Sequence, residues 1–153
     1  MPIETYFVDG AILYFDPFIF SDGGEPKPKY FLVLKRTDVK CVLASLPTSK
    51  DSVPIMIEKR HGCINDDDIS FNCYYFDPDV VVCDDGFSFP IGTYIYGFRL
   101  QVFDLNVFLS QELSGKTVIK KCGVLKVDEY QSVVRCLVKS SSVKHAYRKI
   151  LSA

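Results

Sequence analysis

The sequence has no apolar run of the about 18 residues that a membrane-spanning helix needs. Residues 1–10 also lack the basic start and apolar core of a secretory signal peptide, so we expect a cytoplasmic protein without a membrane partner. Low-complexity stretches are absent as well. The composition, 48% hydrophobic and 24% charged, is that of a globular chain, and 153 residues are enough for one domain over residues 1–153.

The motifs of several common enzyme classes are missing too. There is no G-x-G-x-x-G or Walker loop to hold nucleotide phosphates, no G-x-S-x-G nucleophile elbow and no H-E-x-x-H zinc motif. Only two histidines are present. His145 lies in a basic segment. His61 lies in a polar turn, where it could serve as a general acid or base or be an ordinary surface residue.

The six cysteines include no C-x₂-C pair, which a zinc ribbon or finger would need. His61 and Cys63 are two residues apart and could share a metal ion, but no second close pair completes such a site. We therefore expect neither a metal nor a cofactor. Without a signal peptide we also expect free thiols, most of them small buried side chains, rather than disulfides.

Charge is distributed unevenly along the chain. Residues 116–153 hold nine Lys or Arg and two acids, a net charge of +7, whereas residues 1–115 carry −8. Residues 64–85 contain seven Asp and no base. A polyanion such as RNA would be attracted to the basic end and repelled by the acidic stretch. A solvated helix surface and an acidic loop explain the same pattern, and both interpretations stay open.

The first two thirds of the chain are predicted to be short β-strands separated by Gly, Pro and Asp turns. This arrangement is typical of a small closed barrel, here residues 1–121 with an acidic insertion near 64–85. The predicted strands are residues 11–20, 30–35, 39–46, 55–58, 70–76, 80–83 and 93–102, with a strand or extended link at 116–121.

Helices are predicted in the last third. Asp104 is a candidate N-cap for a short helix that ends at Leu113. From Val127 onward the apolar residues follow i, i+3, i+4, i+7 and i+8, which predicts an amphipathic helix packed on the barrel. Ser142 is a candidate cap for a final helix. The predicted fold class is therefore mainly β, an SH3-like small barrel with C-terminal helices over residues 122–153.

Three short segments follow one another in a suggestive order. Residues 10–34 begin at a glycine, pass through a Gly-rich loop and enter a strand at Lys-Pro-Lys. Residues 45–50 read Ser-Leu-Pro-Thr-Ser-Lys, and residues 121–125, Lys-Cys-Gly-Val-Leu, lead into a helix. Together these segments resemble the MazF/PemK/Kid family of bacterial growth-inhibitor toxins, and the resemblance covers about residues 10–50 and 123–137, roughly a third of the chain.

The resemblance implies a homodimeric, metal-independent endoribonuclease that cleaves single-stranded RNA and is neutralised by an antitoxin protein. The family's catalytic Arg falls by register on Lys29, and its Thr or Ser falls on Thr48 or Ser49. In this scheme His61 or Asp16 would move protons during cleavage. The flanking cations that would contact RNA are Lys27, Lys50 and Arg60.

The sequence departs from this family at the catalytic cation. Lys27-Pro28-Lys29 stands where the family has Arg-Pro, and an ammonium lacks the two-pronged grip of a guanidinium on phosphate. The alternative is a non-catalytic SH3-like module that binds RNA or a protein partner. Four tyrosines could supply stacking rings for such a module or could fill the core instead: Tyr74, Tyr75, Tyr94 and Tyr96.

Overall fold

The computed structural model describes residues 3–20, 22–46, 58–66, 68 and 71–152. The strands in this part of the chain are β1 Ala11–Phe18, β2 Lys27–Arg36, β3 Lys40–Ser45, β4 Gly62–Asp66, β5 Phe71–Phe76, β6 Thr93–Tyr96, β7 Leu100–Asp104 and β8 Val118–Val124. The α-helices are α1 Leu105–Leu113, α2 Val127–Val138 and α3 His145–Ser152. The predicted mainly β class with C-terminal helices is confirmed.

The strands pair as two antiparallel sheets. One has five strands in the order β7-β3-β2-β1-β8, and the other has three in the order β4-β5-β6. Among the described strands, no pairing joins β7 to β8 to close the larger sheet into a ring. The smaller sheet contains part of the acidic segment 64–85, because β4 and β5 lie largely within it.

Both faces of the three central strands, β1, β2 and β3, are largely buried, which explains the apolar runs in their sequences. Side chains alternate between the faces with the period of two that a strand imposes. Ile12 joins a core shared with the second sheet, α2 and α3. Its neighbour Leu13, like Phe15, joins the opposite core, which Phe108 of α1 completes.

The structure of the second sheet and of the residues around it differs from the sequence prediction, because it depends on contacts that sequence patterns do not show. The predicted strand 80–83 is wrong: the amides of Val82 and Cys83 bond to Phe87 O, and only Cys83 forms an isolated bridge, with Leu125. Residues 93–102 split into β6, a 3-10 helix over Gly97–Arg99, and β7. Strand β4 lies between the predicted strands 55–58 and 70–76, where no strand was predicted, and most of the predicted strand 55–58 lies outside the described residues.

The helices agree more closely with the sequence. Asp104 caps α1, since its Oδ1 accepts from Asn106 N at 2.9 Å. The apolar stripe of α2 buries Val133 and Leu137 as its spacing predicts. The final helix starts only at His145, because the Ser142 side chain is bonded elsewhere. No helix within the described ranges is long and apolar enough to cross a membrane.

The expectation that all thiols are free is wrong for one pair. Cys63 of β4 and Cys136 of α2 form a disulfide, with their Cα atoms 5.6 Å apart. The other four cysteines are free, and three of them are buried: Cys41, Cys73 and Cys83. The two bonded residues are 73 positions apart in the chain, and only the packing of α2 on β4 brings them together.

Candidate functional site

A cleft of about 410 Å³ opens where the start of β2, the end of β3 and the start of β7 meet. We call it the Lys29 cleft. The described residues that line it are Lys29, Ser45, Phe98, Arg99 and Gln101. Two of the five side chains are cationic and none is a carboxylate or an imidazole, so the cleft favours an anionic ligand.

Strand pairing explains why residues so distant in sequence share this cleft. Ser45 pairs with Phe31 of β2, two positions from Lys29. On its other side β3 pairs with β7, where Leu43 lies opposite Gln101. Because β3 lies between β2 and β7, Lys29 and Gln101 lie at the same end of the sheet.

Phe98 gives the cleft an exposed aromatic ring. It is 62% exposed although it is one of the largest apolar side chains. Its ring stacks on buried Tyr96 with centroids 5.7 Å apart, and Tyr96 stacks in turn on Tyr94 at 5.6 Å. The Arg99 guanidinium lies 5.5 Å from the Phe98 centroid. This column of rings fixes Phe98 in position while leaving more than half of its surface available for contact.

One hydroxyl at the cleft has no partner. Ser45 Oγ is buried and makes no hydrogen bond within the described structure. A buried hydroxyl without a partner costs about 1 to 3 kcal/mol. Because protein atoms enclose this hydroxyl, the polar groups that a ligand in the cleft can contact are those of Lys29, Arg99 and Gln101.

Lys27 and Lys29 both lie near the ring of Phe20. Their Nζ atoms are 5.9 and 5.4 Å from its centroid. Lys27 is exposed and lines an adjacent pocket with Phe20 and Asp22, whereas Lys29 is half-buried and lines the Lys29 cleft. That pocket also holds the carboxylates of Asp22 and Glu25, so Lys27 does not extend the cationic surface of the cleft.

His61 lies in a different pocket, of about 460 Å³, between β4 and α2. We call it the His61 pocket. The described residues that line it are His61, Gly62, Cys63, Tyr74, Asp128, Glu129, Ser132, Arg135, Cys136 and Lys139. None of them lines the Lys29 cleft, so the described structure does not bring His61 and Lys29 to one pocket.

Both ring nitrogens of His61 are engaged. The Asp77 amide donates to Nδ1 at 3.1 Å, which assigns the ring proton to Nε2. Nε2 in turn lies 2.9 and 3.0 Å from the two carboxylate oxygens of Glu129. Tyr74 also donates to Glu129, and burial, followed by this hydrogen bond, raises the pKa of the tyrosine hydroxyl. The cluster ties β4 and β5 to α2, and it leaves His61 no open nitrogen for a substrate.

The remaining predicted site residues are scattered. Thr48, Ser49 and Lys50 lie outside the described residues. Arg60 is exposed in the segment before β4, and Asp16 is exposed on β1. The four tyrosines proposed as possible stacking residues are all buried, which confirms their alternative assignment to the core. The ring that the structure exposes is Phe98 instead.

Phe98 and Arg99 were not predicted as site residues, because both fell inside a predicted strand. An aromatic residue next to an arginine was the available signal, but a strand would have placed the two on opposite faces. The 3-10 helix places both beside the cleft. Cys63 cannot serve as the thiolate of a metal site while it is bonded to Cys136.

No protein-family model matches this chain, and no curated protein sequence matches it. The function is therefore argued from the residues of the two pockets.

Proposed function

We propose that this protein binds single-stranded RNA in the Lys29 cleft. The observation that carries the proposal is the exposed ring of Phe98 beside two cations, Lys29 and Arg99, at one opening. Single-stranded nucleic acids are bound by surfaces of this kind, where cations follow the phosphates and aromatic rings stack on bases.

The fixed position of Phe98 favours a splayed, single-stranded ligand. A base must leave its own helical stack before it can lie on a protein ring, and single strands present such bases at low cost. Gln101 adds an amide that can bond a base edge. The acidic segment 64–85 contributes none of the described lining residues, so its charges are not part of the cleft wall.

A toxin-type endoribonuclease is the second candidate, and Arg99 is the observation that favours it. The resemblance expected a catalytic arginine where the sequence has Lys29, and Arg99 supplies a guanidinium at the same cleft. The two cations could stabilise the charge of a pentavalent phosphorane. In this second proposal, Thr48 or Ser49 would supply the hydroxyl, and an antitoxin and a second copy of the chain would be the protein partners.

Fluorescence anisotropy with a labelled mixed-sequence 12-nucleotide RNA tests binding. Phe98→Ala should weaken binding by about 1 to 3 kcal/mol, roughly 5- to 150-fold, because it removes one stacked base. Leu113→Ala, at a residue that is 89% exposed and does not line the cleft, is the matched control and should bind like the wild type. Equal affinity of Phe98→Ala and wild type would refute the proposal.

The same RNA, run on a denaturing gel after incubation with EDTA, tests cleavage. If the second candidate is correct, the wild type cuts the RNA and both Lys29→Ala and Arg99→Ala fail to do so. Cutting that survives both substitutions would exclude these cations from the chemistry. Binding without cutting would leave the protein as an RNA-binding module.

A further inference from the structure

We propose that the Cys63–Cys136 disulfide is a redox switch that sets the position of Phe98 and Arg99, and so regulates RNA binding. The regulatory part rests on the RNA-binding function proposed above. The switch itself rests on the contacts that hold α2 against the second sheet. These contacts, together with the serines that follow α2, connect the reducible bond to the Lys29 cleft.

The disulfide joins an edge strand to a helix. Strand β4 is the outer strand of its sheet, paired only with β5 among the described strands, and Cys136 lies on α2. A non-covalent tie between the same two regions is the contact of His61 with Glu129, two helical turns before Cys136. The disulfide is the covalent link between α2 and this sheet, and it lies nearer to the C-terminal end of α2.

The residues that follow α2 are hydrogen-bonded to β5, the central strand of the second sheet. Ser140, four residues after Cys136, donates its hydroxyl to the side-chain carbonyl of Asn72 on β5. Ser142 Oγ lies 2.6 Å from the same Asn72 oxygen and 2.8 Å from Ser140 Oγ. Asn72 and Ser140 are both buried, so these bonds are protected from water. Displacing the end of α2 would leave the buried amide oxygen without its donors.

Gly97 contacts this serine pair and directly precedes the two residues of the cleft, Phe98 and Arg99. A Cβ atom placed on Gly97 would lie 2.6 Å from Ser142 Oγ and 3.0 Å from Ser140 Oγ. Only a glycine allows so close an approach, so the backbone at Gly97 rests directly on the two serines. The next two residues are Phe98 and Arg99, which line the Lys29 cleft. A shift of the serine pair would therefore move the backbone of Gly97, which is one residue before Phe98.

The bond is placed where a reductant can reach it. Cys63 is an exposed residue and lines the open His61 pocket, whereas Cys136 is only 4% exposed. A thiolate of a dithiol reductant would attack Cys63 Sγ, the S–S bond would break, and Cys136 would leave as a thiolate that takes up a proton. The second thiol of the reductant then releases Cys63. The protein gains two electrons and two protons, and the dithiol becomes a disulfide.

Reduction leaves α2 and the residues after it attached to the second sheet by the contacts of Glu129 with His61 and Tyr74, by the bonds of the serine pair to Asn72, and by apolar packing. Without the covalent link four residues before Ser140, the C-terminal end of α2 fluctuates more, and the serine pair under Gly97 fluctuates with it. We expect the affinity for RNA to fall by about fivefold or more, the lower end of typical coupling between two sites.

The test compares the oxidised and the reduced protein by two measurements. Hydrogen exchange reports on the amides of Phe98 and Arg99, and anisotropy reports on binding of the 12-nucleotide RNA. Thiols are counted by alkylation in denaturant, and four free thiols in the oxidised protein should become six after dithiothreitol. Cys63→Ser should match the reduced wild type in both measurements, with or without dithiothreitol. Cys122→Ser, at a free cysteine, should keep the redox response.

Faster exchange at Phe98 and Arg99 on reduction, together with weaker RNA binding, supports the switch and its regulatory role. Faster exchange in a protein that binds no RNA in either state supports the switch and rejects the RNA-binding function. Equal exchange in both states overturns the proposal even if RNA binds. Six free thiols in air-oxidised protein overturn it as well.

Discussion

Breaking the disulfide should lower the free energy of unfolding by about 4 kcal/mol. The bond closes a loop whose ends are 73 positions apart, and without it the unfolded chain regains the entropy of that open loop. With 73 residues in the loop-closure relation, the entropy is about 15 cal/mol/K, or about 4 kcal/mol at 25 °C. For a chain of this length, such a loss lowers the melting temperature by roughly 8 to 16 °C.

Urea unfolding followed by far-ultraviolet circular dichroism suits this test, because the chain has no tryptophan to serve as a fluorescent probe. The midpoint should fall by about 2 M when dithiothreitol is added to the wild type, for a typical urea dependence of about 2 kcal/mol/M. The double variant Cys63→Ser/Cys136→Ser should unfold like the reduced wild type and show no response to dithiothreitol. A wild-type shift below about 1 kcal/mol, or an equal shift in the double variant, would refute the argument from loop closure.

Three further predictions concern Gly97, Tyr74 and the buried free thiols. Gly97→Ala should destabilise the protein by about 1 to 3 kcal/mol in the same urea assay, because the added methyl group overlaps a serine hydroxyl, and unchanged stability would contradict the close packing. Tyr74→Phe should cost about 1 to 3 kcal/mol through loss of its bond to a carboxylate, and a neutral effect would show that this bond contributes nothing. Burial raises the pKa of Cys41, Cys73 and Cys83 from 9.0 to about 12, so the unfolded chain loses these protons first. The contribution of these three protonated thiols to the free energy of unfolding should stay constant below pH 9 and decrease as the pH rises toward 12. A urea midpoint that rises between pH 8 and pH 10 would contradict this.

Local patterns predicted those parts of the fold that local interactions determine. Asp104 caps α1 through a bond two residues away, and the stripe of α2 follows helical spacing, so both could be recognised in the sequence. Strand β4 could not, because its polar sequence becomes a strand by pairing with β5. The disulfide was missed for the same reason, since its partners meet only after α2 packs on the second sheet.

The candidate site was predicted in part. Lys29 was singled out as the cation of the second strand, and it lines the cleft on which the proposed function depends. Phe98 and Arg99 were missed because three residues of 3-10 helix interrupt a segment with strand composition. His61 was considered for proton transfer, but its hydrogen-bond partners Asp77 and Glu129 lie far from it in the sequence, and no local pattern reveals that they engage both ring nitrogens.

The salt dependence of RNA binding tests whether the cleft contacts phosphates. Each cation that neutralises a phosphate of a single strand contributes about −0.7 to the slope of log K against log salt concentration. The double variant Lys29→Ala/Arg99→Ala should therefore have a slope about 1.4 less negative than the wild type, whereas Phe98→Ala should weaken binding with little change in slope. A slope in the double variant equal to that of the wild type would show that RNA does not bind in the Lys29 cleft.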